Sequence, residues 1–401
     1  MRAQRLALAF GFAATAVLGG CMAAGEADEV SDGPIVKGGS DENGEYLAEA
    51  GWWKPAPDHT SAEACERNPA TCWTWGEVSG VVVDNPERII VAIWGDRNAE
   101  GDERPRSSNY MIAVNSRGEM IENWTQWDTA LNRPHQVYIS PYDPDRHIWL
   151  VERGGNGIHE QIIKFTNDGK QIVLRLVDPR PVSGERDAQG IVPPARDNPN
   201  PGPLDYGQAS VMTFLPNGDF LVGDGYQNGR IIRYNAAGEF VSEFGTVDSD
   251  DAPGGPPGAF DLIHGIAVDR DGRIYVADRE NNRIQVFTTE GQFVEEWPDV
   301  TNPAGIYMDE DENVWVVSAT LNRLAKYTKQ GEFLTYFGAF GGTTGGFPGG
   351  LARPHQMDVG PDGTVYVASW DGGWLNKFSP KPNADPARVV GRPLRLDATA
   401  N

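Results

Sequence analysis

The chain is short of cysteine, of basic residues and of hydrophobic runs long enough to cross a membrane. Its 401 residues include 3 Cys, and 34 Lys and Arg stand against 57 Asp and Glu, giving a net charge of −23. This acidic balance argues against binding to nucleic acid and against adhesion to anionic lipid. Beyond the N-terminal leader, no stretch is apolar enough for a transmembrane helix. One large all-β domain is compatible with the length and a hydrophobic content of 39%.

The N-terminus is typical of an exported bacterial lipoprotein. Two arginines precede an apolar run, Leu6–Val17, which is too short for a permanent span, and the following Leu-Gly-Gly-Cys21 resembles a lipobox. We expect residues 1–20 to be a signal peptide and Cys21 to carry lipid. The mature protein would then face the periplasm or the cell exterior and contact the membrane only through its anchor. An ordinary cleaved signal is the alternative.

The segment after the leader has little to bury. Residues 21–50 are rich in Gly, Ala and acidic residues and are expected to form a flexible tether. Cys65 and Cys72 are the remaining cysteines, and an exported chain meets an oxidising compartment, so a disulfide between them is expected. A metal pair is the alternative, although no third or fourth soft ligand lies nearby in the sequence.

Downstream, one pattern of short strands and tight turns recurs six times. It is clearest in Asp261–Trp297, where apolar or alternating runs are separated by Asp-Gly, Asn-Asn and Glu-Gly turns. A four-stranded unit cannot bury both faces alone, so the copies predict an all-β, six-bladed β-propeller over residues 51–401. The blades are expected near residues 76–130, 131–178, 204–247, 258–299, 300–345 and 346–396.

Two features of the ring stay open at this level. The fourth strand of the last blade is either Arg388–Gly391 or the N-terminal segment Glu45–Trp53. The Pro- and Gly-rich insertion Asp178–Pro203 cannot be a regular strand pair and is expected to form a surface loop or a lid between blades two and three.

Aligning the repeats places histidine in alternate blades. The residue that opens the first strand is histidine in blades two, four and six and a small residue in the others: Ser79, His135, Ser210, His264, Ala304 and His355. First strands line the channel of a propeller, and alternate blades of six are about 120° apart. We therefore expect a three-histidine metal site on the axis, best suited to zinc. The alternative is three polar residues lining a water-filled channel.

Two further sets of residues follow from the same alignment. The first comes just past the end of each second strand and is expected to rim the mouth of the channel as a pocket for an anionic group against aromatic walls: Trp94, Arg153, Tyr226, Arg279 and Trp370. Packing at blade ends is the alternative explanation. The second set falls off this alignment and is expected at the surface: His59, His147 and His159.

The segments IHGIAVD, ADRENNRIQVF, DGYQNGRIIRYNAAGEFVSEFG and GEVSGVVVD resemble the peptidyl-α-hydroxyglycine α-amidating lyase family of six-bladed NHL-repeat propellers. The resemblance covers roughly Gly76–Phe378. It implies a lyase that cleaves a peptidyl α-hydroxyglycine into a peptide amide and glyoxylate, acting as a monomer on a small or peptide-derived substrate.

The resemblance also implies roles for individual residues. Its zinc ligands match His135, His264 and His355, and a tyrosine proposed as catalytic base or metal-linked phenolate matches Tyr226. Arg279 matches an arginine of the site. Backbone carbonyls that bind a structural calcium match Val81 and Val137.

Three departures from the family concern substrate and calcium. Trp94 stands where the family has an arginine, Arg353 where it has a methionine, and Gln356 where it has an aspartate that serves calcium. Arg353, Arg133 or Arg97 could replace the lost carboxylate clamp, and Arg353 is accordingly counted with the catalytic residues. The metal site is thus expected to be intact, substrate recognition altered, and the calcium site weakened, because an amide offers only a neutral oxygen.

Three functions remain open from the sequence. The first is a metal-dependent lyase of this kind. The second is a propeller lactonase or other hydrolase, although such enzymes usually hold calcium through acidic and amide ligands. The third is a non-enzymatic NHL scaffold at the cell surface that binds protein or glycan.

Overall fold

A computed structural model describes residues 43–61, 67, 72–98, 108–155, 157–180, 201–248, 254–341 and 349–395. Within these residues the strands form six four-stranded antiparallel sheets and a few two-stranded additions. This confirms the predicted all-β, six-bladed propeller. The expected signal peptide, the lipidation site Cys21, Cys65 and most of the insertion between blades two and three lie outside the described residues, so those expectations stay predictions. None of the described helices is long and apolar enough to cross a bilayer.

The first three blades follow the repeat closely, innermost strand first. Blade one contains Val78–Asn85, Arg88–Ile93, Met111–Val114 and Met120–Asn123. Blade two contains Pro134–Ile139, Ile148–Glu152, Gln161–Phe165 and Ile172–Val177. Blade three contains Val211–Phe214, Phe220–Asp224, Arg230–Tyr234 and Phe240–Phe244.

The second half of the ring continues the pattern. Blade four contains Ile263–Val268, Ile274–Asp278, Arg283–Phe287 and Phe293–Trp297. Blade five contains Pro303–Met308, Val314–Ser318, Arg323–Tyr327 and Phe333–Phe337. Blade six begins with Pro354–Val359, Val365–Ser369 and Trp374–Pro380.

The N-terminal segment closes the ring. Tyr46–Ala48 pairs antiparallel with Trp374–Pro380 as the fourth strand of blade six. The alternative strand, Arg388–Gly391, is wrong: Arg388 instead ends a 3-10 helix, Pro386–Arg388. The predicted tether therefore extends too far, since Tyr46–Ala48 belongs to the propeller. Joining both ends of the chain in one sheet ties the last blade to the first and covers an edge that would otherwise be free to pair.

Three two-stranded sheets accompany the six blades in the described residues. Trp73–Trp75 pairs with Asp96–Asn98, and two parallel pairs join Thr246–Val247 to Ala259–Phe260 and Ala339–Phe340 to Gly350–Leu351. A second 3-10 helix is Thr125–Trp127.

The hydrophobic core lies between neighbouring blades. One buried cluster joins Ile274 and Val276 of blade four to Val314 and Val316 of blade five, and similar clusters join the other neighbours. Successive side chains of a strand point to opposite faces of the sheet, and each face packs against a neighbouring blade. The strands are therefore nearly continuous apolar runs. The packing fixes the inner strands around the axis and so positions the side chains that face the channel.

Candidate metal centre

In five of the six blades, a β-bulge turns the side chain that opens the inner strand. In blades two, four and six the pairing with the second strand skips one residue, and that residue is His135, His264 or His355. The same skip occurs at Ser79 in blade one and Ala304 in blade five. A bulge leaves its extra residue out of the ladder and re-aims the side chain. The bulge thus accounts for a polar side chain that leaves the apolar face of its sheet.

The three histidines meet, as the alignment predicted. The centroids of the imidazole rings are 5.0 Å apart for His135 and His264, 4.6 Å for His135 and His355, and 4.7 Å for His264 and His355. One ring nitrogen from each lies within 4.8 Å of the others. We call these three residues the histidine hub.

Each imidazole of the hub is held by the neighbouring blade. The Nδ1 atom of His135 lies 2.5 Å from the carbonyl oxygen of Ser210, that of His264 lies 2.7 Å from Ala304, and that of His355 lies 2.6 Å from Ser79. A carbonyl only accepts, so each Nδ1 carries the proton and donates it. The lone pair of each imidazole is therefore on Nε2, and the hydrogen bond from Nδ1 to the carbonyl fixes the orientation of the ring, as it does for histidines that bind metals.

Burial keeps the hub neutral. Desolvation lowers the pKa of His355 to about 3 and holds the pKa values of His135 and His264 well below their usual range, with the neighbouring cationic groups adding to the effect. Neutral imidazoles with free Nε2 lone pairs are what a transition metal requires. Zinc fits this donor set, because three histidines leave a fourth position for water or substrate.

Serines in the odd-numbered blades complete the framework around the hub. The hydroxyl of Ser79 donates to the carbonyl of Pro134 at 2.5 Å, and the hydroxyl of Ser210 donates to the carbonyl of Ile263 at 2.6 Å. Both carbonyls belong to the residue immediately before a hub histidine. Sequence reasoning identified these serines only as small residues; their strict repeat position was the signal that could have assigned them a role.

Tyr226 reaches the hub from blade three. Its hydroxyl lies 3.2 Å from Nε2 of His135 and 3.2 Å from Nε2 of His264. The residue follows the second strand of its blade, as predicted, and its ring packs edge-on against both imidazoles. Tyr226 is thus the side chain that places a titratable oxygen beside two of the metal-binding nitrogens.

Two tryptophans form the aromatic wall of the mouth. The rings of Trp94 and Trp370 meet edge to face at 4.3 Å, and Trp370 stacks on His355 at 5.1 Å. The indole nitrogen of Trp94 donates to the carbonyl of Pro134 at 2.9 Å. The structure therefore brings both residues to the mouth, as the strand register predicted.

Arginines surround the same mouth at different depths. The guanidinium of Arg153 lies 3.7 Å from the ring centroid of Tyr226 and that of Arg279 lies 5.8 Å from it. Arg133 lies over Trp94 at 5.1 Å. Arg279 is paired with Glu280. Arg353 is largely exposed, and its Nε lies 3.8 Å from Asp371, so it stands at the rim rather than against the hub.

The expected calcium site does not fit the residues present. The side-chain oxygen of Gln356 accepts hydrogen bonds from the backbone amides of Val81 at 3.1 Å and Val137 at 3.2 Å. Its amide nitrogen donates to the carbonyl of Val137 at 2.9 Å. One carbonyl expected to bind calcium thus already accepts a hydrogen bond, and no carboxylate replaces the missing aspartate at position 356. A β-carbon at Gly80 would lie 2.8 Å from the same side-chain oxygen, so the strands approach closely here.

One histidine outside the hub does not lie at the surface. The side chain of His59 is 2% exposed, and its Nε2 lies 3.2 Å from Asp96. Its Nδ1 accepts from the amide of Ala56, so Nε2 carries the proton and neither nitrogen is left for a metal. The prediction was wrong because Asp96 and the ring of Trp75, 4.4 Å away, provide buried partners that are distant in sequence.

Comparisons with known proteins show which proteins this chain is similar to. A family model for the NHL repeat matches residues 260–287. Mouse peptidyl-glycine alpha-amidating monooxygenase is 27% identical over 263 residues, which cover 61% of this chain and 24% of that protein. A probable peptidyl-alpha-hydroxyglycine alpha-amidating lyase of Caenorhabditis elegans is 25% identical over 246 residues, covering 58% and 60%.

The matched part spans about a quarter of the length of the mouse and rat relatives. NHL repeat-containing protein 3 of Homo sapiens is 22% identical over 204 residues, covering 48% of this chain and 52% of that protein. Among solved structures, a streptogramin B lyase superimposes with a TM-score of 0.51 at 16% identity, covering 77% and 94%, which shows the shared fold alone.

Fold and repeat together define the class: the chain is a six-bladed β-propeller of NHL type with three histidines converging at its axis. Within that class it resembles the peptidyl-α-hydroxyglycine α-amidating lyase family, as its sequence segments indicated and as the named relatives support.

Proposed function

We propose that this protein is a zinc-dependent lyase that cleaves an α-hydroxyglycine-type substrate into an amide and glyoxylate. The observation that carries the proposal is the histidine hub, with three Nδ1 atoms tied to carbonyls and three Nε2 atoms converging. The similarity to proteins named as amidating lyases supports it. The substrate and the metal are both part of the proposal.

His135, His264 and His355 would hold the zinc ion. When bound there, zinc supplies a Lewis acid that lowers the pKa of a hydroxyl group beside it. The chain itself shields this place from bulk water, since all three imidazoles are at most 5% exposed. A low-dielectric site strengthens every electrostatic interaction within it.

Tyr226 would handle the proton. In the proposed reaction the bond between carbon and the amide nitrogen breaks with its electron pair on nitrogen, the hydroxyl loses its proton as the aldehyde of glyoxylate forms, and nitrogen gains a proton. The hydroxyl of Tyr226, 3.2 Å from two Nε2 atoms, is placed to give its own proton to nitrogen while its oxygen accepts the proton of the substrate hydroxyl. No oxidant or reductant is needed, since atoms and electrons balance within the substrate.

The mouth would hold the rest of the substrate. Trp94 and Trp370 offer an aromatic wall, and the guanidiniums of Arg153 and Arg279 lie 3.7 Å and 5.8 Å from the centroid of the Tyr226 ring. Guanidinium groups against aromatic faces suit a carboxylate next to an apolar or peptide portion. The lactonase alternative is disfavoured because the ligand group at the axis consists of imidazoles rather than carboxylates.

The proposal is tested with the mature protein and with Tyr226→Phe. We expect about one zinc per chain in both proteins, glyoxylate release from N-benzoyl-α-hydroxyglycine by the wild type, and a roughly 100-fold or larger fall in kcat for the variant, as for loss of a general acid–base group. Elemental analysis and a glyoxylate assay measure these. Absence of stoichiometric metal would favour the scaffold alternative, and metal without glyoxylate release would favour a different reaction.

A further inference from the structure

Arg153 differs from the other deeply buried arginines of the propeller. Arg230 and Arg283 are 3% and 4% exposed, and each is paired with two carboxylates. Arg153 is 7% exposed, and among the residues that the structure describes it forms no ion pair. An uncompensated buried charge is costly, so a counter-charge from outside the protein is the simplest compensation.

The hydrogen bonds of Arg153 are also incomplete. Its Nη2 donates to the side-chain oxygen of Gln208, and its Nε is buried with no acceptor in the described part of the chain. Gln208 is itself fixed, because its backbone amide donates to Glu160 at 2.6 Å and its carbonyl accepts from Tyr226. The guanidinium is therefore held in place by a neutral amide while its positive charge is left without a partner.

The position of the charge points to the reacting end of the site. The guanidinium lies on the ring of Tyr226 at 3.7 Å and 5.6 Å from the ring centroid of Trp94. Trp94 occupies the place where the resembling lyases carry an arginine. The positive charge beside Trp94 thus comes from blade two, while the indole of blade one provides a flat wall next to it.

We propose that Arg153 binds the carboxylate of the substrate and orients it from blade two, with Trp94 packing against the neighbouring part of the substrate. This inference rests on the proposed function for the identity of the substrate, whereas the anion site itself does not. A guanidinium and a carboxylate form charge-assisted, geometrically defined hydrogen bonds, which set the direction of approach.

The first test is binding. N-benzoylglycine, which has the carboxylate but no hydroxyl to react, is titrated against its neutral carboxamide by tryptophan fluorescence in the zinc-loaded protein. We expect the wild type to prefer the carboxylate by roughly 10- to 100-fold, as for a hydrogen bond to a charged group. Arg153→Gln should remove the preference and Arg153→Lys should retain part of it. Arg117→Gln, at an exposed arginine paired with Glu119, is the control and should bind as the wild type does.

The second test is turnover of N-benzoyl-α-hydroxyglycine. Arg153→Gln should raise KM by a similar factor with little change in kcat and with zinc content unchanged. A fall in kcat with an altered pH profile and an unchanged KM would overturn the proposal, since Arg153 would then act through Tyr226. Equal affinity of wild type and Arg153→Gln for N-benzoylglycine would also overturn it.

The two hypotheses fail in different ways. Carboxylate preference that depends on Arg153, without glyoxylate release by the wild type, would sustain the anion site and reject the proposed reaction. Glyoxylate release that is indifferent to Arg153 would do the reverse. If Arg153→Gln does not fold, two measurements still test the proposal: the affinity of Arg153→Lys for N-benzoylglycine, and the preference of the wild type for carboxylate over carboxamide. A wild type without that preference has no such anion site.

Discussion

The even-numbered and odd-numbered blades share a backbone but differ in what their inner strands offer the axis. The bulge recurs at His264 in blade four and at Ala304 in blade five, yet only the first carries a ligand. Even blades supply the side chains, and odd blades supply the carbonyls that fix them. A ring of six equivalent positions thus becomes a centre of three ligands and three supports.

The same division continues below the hub. Gln356 and Asp358 of blade six accept hydrogen bonds from backbone amides of blade one, and the hydroxyl of Tyr138 in blade two accepts from Met212 in blade three. Side chains of even blades therefore satisfy backbone groups of the next odd blade. Because blades that carry ligands alternate with blades that support them, one repeated scaffold can hold a site with threefold character. Single substitutions should therefore separate the contribution of a ligand from that of a support.

The largest effect is expected from an even-blade ligand. His264→Ala should lower zinc affinity by more than about 100-fold and should abolish glyoxylate release. This loss exceeds the range expected when a residue that only hydrogen-bonds to a metal ligand is removed. His159→Ala, at a histidine outside the hub, should retain both. Elemental analysis and a zinc competition titration measure the change. Full zinc occupancy in His264→Ala would contradict the assignment of the hub.

Gln356 should matter for stability without any need for calcium. Gln356→Ala leaves two buried amides and one carbonyl without this partner, so the free energy of unfolding should fall by about 2–4 kcal/mol. Gln136→Ala is the matched control, because Gln136 holds the same position in blade two and its Nε2 already lacks a partner among the described residues. Gln136→Ala should lower the free energy of unfolding by less than Gln356→Ala does. Denaturant unfolding measures both.

Addition of a calcium-selective chelator should leave the melting temperature of the wild type unchanged. A chelator-dependent decrease that calcium reverses would show that the amide of Gln356 does not replace the ion. Gln356→Asp offers the converse test, since it restores the carboxylate that the resembling family carries there.

An odd-blade support should have a smaller effect. Ser210→Ala removes the hydroxyl that donates to the carbonyl before His264, and should lower the free energy of unfolding by about 1 kcal/mol. Ser379→Ala, at an exposed hydroxyl bonded to Glu49, should change it by less than about 0.5 kcal/mol. Thermal and denaturant unfolding measure both. If Ser210→Ala lost as much zinc as His264→Ala, this would contradict the distinction between ligand and support.

A pH dependence is also expected at Asp358. Burial raises its pKa to about 6, while the amide of Val83, which donates at 2.6 Å, opposes the rise. The folded state then holds a proton that the unfolded chain has released, so this carboxyl lowers stability as pH rises from about 4 through 6. Asp358→Asn does not titrate, and its stability relative to wild type should therefore improve over that range. Unfolding at pH 4, 5, 6 and 7 measures it.

Asp145→Asn, at an exposed carboxyl, serves as the control and should track the wild type across the series. Parallel pH profiles for wild type and Asp358→Asn would mean that the carboxyl is ionised in the folded state throughout, and that blade six contacts blade one there through a carboxylate.

Several residues of the site could be predicted because they repeat. His135, His264 and His355 share one position in copies of a single pattern, and a repeat fixes angular position around an axis before any contact is known. Tyr226 and Trp94 follow from the same register. His59 could not be placed, because its buried partner Asp96 lies 37 residues away and outside the repeat. The uncompensated charge of Arg153 could not be predicted either, because an amino-acid sequence does not show which charged side chains lack a partner in the fold.

The amino-acid sequence by itself determined the strands, the number of blades and the alternation of histidine, because these depend on local periodicity and on turn residues within each repeat. Only the tertiary structure decided that Tyr46–Ala48 closes blade six, that bulges turn the histidines to the axis, and that Gln356 bridges Val81 and Val137. The closing strand and the Gln356 bridge join residues more than 200 positions apart. They depend on how whole blades pack around the channel, which no local pattern encodes.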